Sequence, residues 1–415
     1  MSTIATDHLF RHQFGKMVSI LTRIFGLENM ELIEDAVQDT FISAIKSWQN
    51  KLPDNPEAWL TTAAKNRVID LFRKIKSDKN RFDHIYSGAA SIQISEMFSE
   101  YEIEDSQLRM IFTACHPLLN AKEQIAFALR SISGFSAKEI ATALLSTEES
   151  IKKRLQRARK TIKTQNVAFE IPTGRQLIKR RDRVLEVIYL IFNEGFHSGL
   201  KDKLVRKDLC GEALRLIKLL LKKESLRHPK VYALFALLCF HSSRLESKMS
   251  ASDDVIDLKH QDRSLWYFPL MAIGNEAMNK ALEEAVVLSS YHYEAAIAAE
   301  HLRAPDYAST NWELILEYYQ KLDALQSSPH SLLNLAIVYI ELHHLEKAYK
   351  LLKPLSVKDF AGRAYLLYGS WAEYHFKKQD LTQAIQFLDS AILEVSNQAE
   401  KKYLMVKKEK WASQL

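Results

Sequence analysis

The chain has 415 residues, which at about 150 residues per domain predicts two to four domains rather than a single core. Glycine (11) and proline (9) are scarce, and hairpin-rich β folds, glycine-rich nucleotide sites and disordered chains all need more of them, so we expect an all-α protein. The net charge of +6 is too small to require a nucleic-acid partner by itself. The N-terminus lacks a signal-peptide pattern, and the longest apolar run, 231–240, is about half a membrane span. We therefore expect a cytoplasmic protein with no membrane partner.

Apolar residues recur at helical spacing from Leu9 to Lys76, which predicts a first helical unit over 1–78. Turn residues at 26–29 and 53–56 divide this stretch, and Pro56 is predicted to open a helix that ends near Lys76. Residues 79–104 lack a clear amphipathic period and are predicted to be a linker. A second helical unit is predicted over 105–165. After a break near 167–173, helical periodicity returns and extends over 175–415.

Residues 136–160 have the pattern of a helix-turn-helix. Ser136 and Glu139 have the spacing of a capping box, and Thr147 is placed to cap a second helix. Ile140, Ala141 and Leu144 are the predicted buried face of the first helix, and Ile151, Leu155 and Ala158 that of the second. Between residues 150 and 163 there are seven basic residues and no acidic one, whereas a merely solvated helix usually mixes the two signs. The pattern favours a recognition helix that enters the DNA major groove, the alternative being an exposed charged helix without a ligand.

An earlier helix, beginning at Pro56, combines aromatic, amide and basic side chains. Such a combination suits unpaired nucleic acid, in which bases stack and phosphates pair with cations. Before it, residues 34–41 place acidic and amide side chains beside an apolar stripe. An ordinary solvated helix face is an equally good interpretation of that stripe.

The last hundred residues contain a repeat. Similar eight-residue segments begin at Trp312, Leu345 and Leu381, and their spacings of 33 and 36 residues are close to the 34-residue tetratricopeptide period. Ala336 and Ala372 stand where such a repeat needs close contact between helices. The repeat predicts a tetratricopeptide-like C-terminal domain, and a generic helical bundle is the alternative.

Motifs for catalysis and for cofactor or metal binding are absent from the sequence. There is no phosphate-binding loop, dinucleotide fingerprint, zinc-protease motif or nucleophile elbow. Cys115 and His116 are adjacent, and adjacent helical residues do not face each other. The three cysteines are widely spaced in apolar stretches, which favours buried thiols over disulfides or a zinc site. We therefore expect no catalytic residue, no cofactor and no metal, and an enzyme is disfavoured.

Two of these segments resemble a known family. Residues 34–41, 55–60 and 64–70 resemble, in order and spacing, region 2 of extracytoplasmic-function (ECF) sigma factors, and residues 136–160 resemble their region 4. The remainder looks like the helical extension of one subgroup of these factors. The resemblance implies an all-α protein with two small sigma domains, region 2 over 1–78 and region 4 over 105–165, followed by the tetratricopeptide-like extension over 175–415.

The resemblance also implies partners and binding residues. The clamp helices of the largest subunit of core RNA polymerase would bind Asp35, Gln38 and Asp39. Single-stranded DNA of the promoter −10 element would be captured by the loop 50–55 and by Trp59, Lys65, Asn66, Arg67 and Arg73. The −35 duplex would be contacted by Ser150, Lys152, Lys153, Arg154, Gln156 and Arg157. Thr147, Glu148 and Glu149 stand where many relatives have proline and small residues, and the charges of Glu148 and Glu149 would repel nearby phosphates.

The function implied is that of an alternative sigma factor, which binds core polymerase and directs initiation at promoters with particular −10 and −35 elements. The extension would be regulatory and would bind a protein or peptide. Two other functions remain open. One is a helix-turn-helix transcriptional activator with a repeat-based sensor domain, and the other is a tetratricopeptide adaptor between proteins.

Overall fold

The computed structural model describes residues 3–48, 52–77, 98–144, 146–197, 205–250, 254–360 and 363–414. Across these residues the regular structure is helical, as predicted, apart from one isolated antiparallel bridge between Met249 and Val255. The chain divides into two compact units, Met1–Leu190 and Ile191–Leu415. The boundary between them lies inside a helix, whereas the sequence predicts that the extension begins at residue 175.

The N-terminal unit contains helices of 7 to 23 residues. They are α1 (Thr3–Phe25), α2 (Met30–Ser47), α3 (Pro56–Ser77), α4 (Glu100–Ala114), α5 (Ala121–Ser131), α6 (Ala137–Ala143), α7 (Glu148–Thr164) and the first part of α8 (Gly174–Phe196). The turn between α1 and α2 uses Gly26, whose φ of 94° lies in the left-handed region that favours glycine. At the start of α3, Asn55 Oδ1 accepts a hydrogen bond from the Ala58 amide at 3.0 Å, which stabilises the predicted start of this helix at Pro56.

The predicted linker ends earlier than the sequence suggests. Residues 79–97 lie outside the described residues, but α4 already begins at Glu100, so the segment 100–104 is helical although its sequence has no clear amphipathic period. The Ser99 side chain caps the helix, and the acidic residues of the first turn lie at the positive end of the helix dipole. Arg23 of α1 pairs with both Glu102 and Asp105. Capping and charge therefore start a helix that has little amphipathic pattern.

The helix-turn-helix prediction is confirmed, with one exception at Leu144. Ser136 and Glu139 form both bonds of the capping box, and Thr147 Oγ1 accepts a hydrogen bond from the Ser150 amide at 3.1 Å. Ile140 and Ala141 of α6 are buried, together with Ile151, Leu155 and Ala158 of α7. Leu144 is only half-buried, because α6 ends just before it.

The C-terminal unit consists of paired helices. After the end of α8 come α9 (Lys207–Lys222), α10 (Pro229–Ser243), α11 (Phe268–Glu283), α12 (Ser290–Arg303), α13 (Trp312–Leu325), α14 (Pro329–Glu341), α15 (Leu345–Leu352), α16 (Ala364–Lys377), α17 (Leu381–Glu394) and α18 (Gln398–Ala412). Helix α14 packs on α15, and α16 packs on α17. Ala336 and Ala372, predicted at close helix contacts, are fully buried. The three repeated segments open α13, α15 and α17.

A buried group of cations lies around Phe196 in this unit. Lys248 Nζ donates a hydrogen bond to the Phe196 carbonyl at 2.6 Å and lies 3.5 Å from the centre of its ring, and the Arg244 guanidinium lies 5.5 Å from the same ring. Burial, followed by the charge of Arg244, lowers the pKa of Lys248 to about 7. Burial also lowers the pKa of His241 well below its ordinary value, so this histidine is neutral at pH 7.

The described residues lack two kinds of feature. No helix among them is both long and apolar enough to cross a membrane. Their histidine, cysteine, aspartate and glutamate side chains form no cluster that could hold a metal ion. Cys115, Cys210 and Cys239 are free and buried, and burial raises the pKa of each thiol to about 12.

Candidate nucleic-acid interface

Helix α7 presents most of its basic side chains to solvent because its apolar residues recur at intervals of four and three. The predicted duplex-binding residues Lys152, Lys153, Gln156 and Arg157 are exposed, and Arg154 is half-exposed. Ser150 is also half-exposed, and its amide is used by the helix cap. These six residues therefore lie on one helix, outside its buried stripe.

The two acidic residues at the start of α7 pair with the predicted DNA-binding lysines. Lys152 Nζ lies 2.7 Å from Glu148 Oε1, and Lys153 Nζ lies 2.6 Å from Glu149 Oε1. The hydrogen bond from Lys152 lowers the pKa of Glu148. Exposed i, i+4 ion pairs of this kind are weak, so a phosphate can replace either carboxylate.

Helix α3 carries the residues predicted to bind single-stranded DNA. Trp59 is half-buried against Trp48, with ring centres 5.4 Å apart, and Lys65 lies 6.0 Å from the Phe98 ring centre. Asn66, Arg67 and Arg73 are exposed. The loop 50–55 lies partly outside the described residues.

The polar stripe of α2 faces solvent beside exposed apolar side chains. Asp35, Gln38 and Asp39 are exposed, and on the same helix Leu32, Ile42 and Ile45 retain 40%, 45% and 50% of their accessible surface. Partial desolvation and then the neighbouring Glu31 and Glu34 carboxylates raise the pKa of Asp35. A helix that exposes aliphatic and acidic side chains together has the composition of a docking surface.

Two residues of this stripe already have partners within the N-terminal unit. Arg67 Nη2 of α3 donates to Asp39 Oδ2 at 2.8 Å, so a predicted DNA-binding residue pairs with a predicted polymerase-binding residue. Arg130 Nη2 of α5 donates to Gln38 Oε1 at 3.2 Å. Asp35 has neither a hydrogen bond nor an ion pair with any described residue.

Glu34, next to this stripe, is almost fully buried, with 1% of its surface accessible. Its carboxylate accepts hydrogen bonds from Arg130 Nε at 3.4 Å and from Ser131 Oγ at 3.1 Å, both belonging to α5. It also pairs with Arg159 of α7, which in turn lies 3.6 Å from Glu31. We call Glu34, Arg130, Ser131 and Arg159 the Glu34 cluster. It joins α2 to the two helices that carry and support the helix-turn-helix.

Sequence reasoning missed this cluster, although one signal was present. Met30, Glu34, Val37, Phe41 and Ala44 follow one another at alternating steps of four and three, which is the spacing of the buried side of a helix. A carboxylate on that seam predicts a buried ion pair. Its partners could not be identified, because they lie 96 to 125 residues further along the chain.

Comparison with family models supports this description of the chain. Residues 9–77 match the Sigma-70 region 2 model, and residues 109–162 match the model of Sigma-70, region 4. Residues 180–282 match a family of unknown function, DUF6596. No solved structure matches the chain.

The chain has one long match to an uncharacterized protein and shorter matches to sigma factors. An uncharacterized protein of Rhizobium meliloti (strain 1021) is 34% identical over 331 residues, covering 79% of this chain and 78% of that protein. The ECF RNA polymerase sigma factor SigE of Mycolicibacterium smegmatis is 26% identical over 38% of this chain and 60% of its own length. The ferric citrate uptake sigma factor FecI of Escherichia coli is 28% identical over 38% of this chain and 88% of its own length.

The two sigma regions occupy the N-terminal unit, and the long similarity to the Rhizobium protein extends well beyond them. Sigma factors are not enzymes, as the sequence predicts for this chain. The chain therefore belongs to the sigma-70 family, as an ECF-type member in which regions 2 and 4 are followed by a helical C-terminal region containing the DUF6596 domain.

Proposed function

We propose that the protein is an alternative sigma factor, which binds core RNA polymerase and selects promoters by their −10 and −35 elements. The observation that carries the proposal is that one chain contains both sigma regions. Their predicted contact residues are at least partly accessible on α2, α3 and α7. A duplex-binding activator needs the helix-turn-helix but has no use for a matched region 2 or for the exposed apolar and acidic face of α2. We place the protein in the cytoplasm, where its polymerase partner would be.

Each region has its own proposed partner. Asp35, Gln38 and Asp39 would bind the clamp helices of the largest polymerase subunit. The −10 strand would bind α3 through Trp59, Lys65, Asn66, Arg67 and Arg73, and the −35 duplex would bind Ser150, Lys152, Lys153, Arg154, Gln156 and Arg157 of α7. Phosphate contacts should make DNA binding fall steeply with salt concentration, and contacts to bases should select the sequence.

The proposed domains are region 2 over 1–78, a linker from 79 to Ser99, region 4 from α4 to about residue 165, and the extension from 175 onward. The paired helices α13 to α18 support a tetratricopeptide-like role for the extension, which we propose binds a protein or peptide and regulates the sigma regions. The surfaces of such stacked helices bind extended chains or helices.

Capture of core polymerase by Asp35→Ala tests the proposal. Asp35 is the best of the three residues to substitute, because Gln38 and Asp39 also form hydrogen bonds within the N-terminal unit that a substitution would break. Lys46→Ala, exposed three turns further along α2, is the matched control. We expect Asp35→Ala to weaken capture about tenfold while Lys46→Ala leaves it unchanged, and equal capture by the two variants would remove the docking assignment. A chain that binds promoter duplex but never captures polymerase would instead be an activator.

A further inference from the structure

The C-terminal unit contains a large cavity beside its paired helices. Its volume is about 900 Å³, which lies near the upper end of the range of about 300–1,000 Å³ that is typical of small-molecule sites. All of its lining residues lie between Val255 and Gln414, and helices α14, α16 and α18 supply much of the wall. The cavity therefore belongs to the extension alone and is separate from the sigma regions.

One wall of this cavity is not part of the paired helices. Residues 254–260, which we call the strap, lie between α10 and α11, and all but the first of them line the cavity. Asp257 Oδ2 accepts a hydrogen bond from the Tyr403 hydroxyl at 2.6 Å, and Asp254 Oδ1 lies 2.5 Å from Lys402 Nζ, so the strap is attached to α18 at two points. Stacked helices alone present an open concave surface, which suits an extended chain. The additional wall makes a cavity, which suits a compact ligand.

Aromatic side chains supply much of the apolar lining. Trp411 stacks on Phe376 with ring centres 4.2 Å apart, and Trp312 meets Tyr307 edge to face at 5.3 Å. The lining aromatic residues are Tyr307, Trp312, Tyr319, Phe376, Tyr403 and Trp411. Because these rings offer both faces and edges to a planar group, the lining favours a ligand that contains an aromatic ring.

Polar groups that could orient such a ligand are also present. Asn334 of α14 is exposed, and its amide makes no hydrogen bond with any described residue. The Tyr319 hydroxyl likewise has no hydrogen-bond partner among the described residues. Burial raises the pKa of Tyr319, so its hydroxyl remains a donor at neutral pH. A few polar groups of this kind in an aromatic cavity fix the orientation of a ligand.

Charge in the lining is unbalanced towards the positive. Each of its three carboxylates already has a partner: Asp257 bonds Tyr403, Glu341 lies 3.5 Å from the Lys377 ammonium, and Glu373 pairs with Lys407. The other two lysines of the lining, Lys259 and Lys410, pair with no carboxylate of the described residues, and Lys259 lies 5.9 Å from the centre of the Tyr307 ring. An anionic group on a ligand would supply the missing negative charge, and a cavity wall shields such a pair from water better than an open surface does.

We propose that this cavity binds a small organic anion that carries an aromatic ring, such as an aromatic carboxylate or sulfonate. In the complex the ring lies among the aromatic side chains, Asn334 and Tyr319 bond its polar atoms, and one or both of the unpaired lysines meet its charge. A small-molecule site of this kind lies outside the proposed function, which gives the extension only a protein or peptide partner. It can be tested without polymerase or DNA, so its failure would leave the sigma assignment untouched.

Fluorescence titration of the full chain with two matched probes tests the site. Anilinonaphthalene sulfonate combines an aromatic body with one negative charge, and phenylnaphthylamine is the same molecule without its sulfonate. We expect the sulfonate to bind at one saturable site, at least about tenfold more tightly than the uncharged probe, because the unpaired lysines favour the anion. Equal affinities of the two probes, or no saturable binding of the sulfonate, would overturn the proposal.

Two variants show whether the probe occupies the cavity. Asn334→Trp should fill the cavity and weaken binding of both probes at least about tenfold, whereas Lys410→Gln should weaken binding of the sulfonate alone, by up to about fivefold. Lys350 is exposed on α15 and outside the lining, so Lys350→Trp and Lys350→Gln are the matched controls and should bind both probes like the unmodified chain. Circular dichroism checks that each variant remains helical. Undiminished binding of the sulfonate by Asn334→Trp, or by Lys410→Gln, would overturn the proposal.

Competition then separates a small molecule from a peptide. Naphthoate, an aromatic carboxylate, and an acetylated peptide that copies residues 254–258 of the strap are each added to the chain with the sulfonate bound. We expect naphthoate to displace the sulfonate at a lower concentration than the peptide does. Displacement by the peptide at an equal or lower concentration would assign the cavity to an acidic peptide and overturn the small-molecule site, and failure of naphthoate to displace the probe would overturn it as well.

Discussion

Glu34→Ala should be among the most destabilising single substitutions in the N-terminal unit. The change removes a carboxylate that is 99% inaccessible and leaves Arg130, Ser131 and Arg159 without their shared acceptor. It also leaves a space where the side chain was. The nearby Glu31→Ala is the matched control, because Glu31 belongs to the same helix and contacts the same Arg159 but keeps 70% of its side-chain surface accessible.

The magnitude follows from the surroundings of the carboxylate. Removing one partner of a buried ion pair costs about 3–5 kcal/mol, because the remaining charge is left uncompensated. Both guanidiniums here can reach water by a change of side-chain rotamer, so the lower end, about 3 kcal/mol, is expected. For a unit of this size that lowers Tm by about 6–12 °C. Glu31→Ala should cost less than about 1 kcal/mol, as for other exposed pairs.

Urea denaturation of the full chain measures how far each substitution lowers the free energy of unfolding. Hydrogen exchange is then measured on the same variants. Exchange reports α2, α5 and α7 separately from the C-terminal unit, so a loss confined to the N-terminal unit can be recognised. We expect the protection of these three helices to fall in Glu34→Ala and to stay nearly unchanged in Glu31→Ala. Equal effects of the two substitutions would refute the reasoning, because they would show that burial of the Glu34 carboxylate adds nothing.

Two further predictions concern the DNA-binding helix and the buried cations. Replacing Glu148 and Glu149 by glutamine removes the carboxylates that pair with Lys152 and Lys153. The affinity for duplex DNA should therefore rise, and the slope of log K against log salt concentration should steepen by up to about 2. Titrations at several salt concentrations measure both quantities, and a weaker affinity would contradict the prediction. Lys248 has a folded-state pKa of about 7, against an ordinary value of 10.5. Between these two pH values the unfolded chain keeps the proton of Lys248 and the folded chain releases it. The free energy of unfolding should therefore rise with pH across this window, by at most about 1.4 kcal/mol per pH unit. Lys248→Met should remove this rise in urea denaturation at pH 7 and pH 9, and an undiminished rise would assign it to other groups.

Local features of the fold could be predicted well from the sequence. The capping box at Ser136, the cap at Thr147 and the start of α3 at Pro56 depend on residues within one helical turn, so their signals are contained in short segments. The burial of Ala336 and Ala372 in the C-terminal unit follows from a repeat, in which the same local pattern occurs more than once.

Features that depend on distant residues could not be predicted. Glu34 and its partners, and likewise Gly15 and Ile132, whose backbones approach closely, belong to segments about 100 residues apart in the sequence. The sequence of one segment does not indicate which other segment it contacts. The start of α4 was missed for a different reason. Its first turn is stabilised by a cap and by the pairing of Arg23 with Glu102 rather than by amphipathic periodicity, so the pattern used to find helices was absent there.

Initiation of transcription in vitro tests the central claim most directly. Core RNA polymerase with and without the full chain is given a library of genomic fragments, and the 5′ ends of the transcripts are mapped. We expect new start sites that need the added chain, share elements near −10 and −35, and are used much less with Asp35→Ala but as often with Lys46→Ala as with the unmodified chain. If no fragment supports initiation by core polymerase with this chain, although the chain binds duplex DNA, the protein is not acting as a sigma factor.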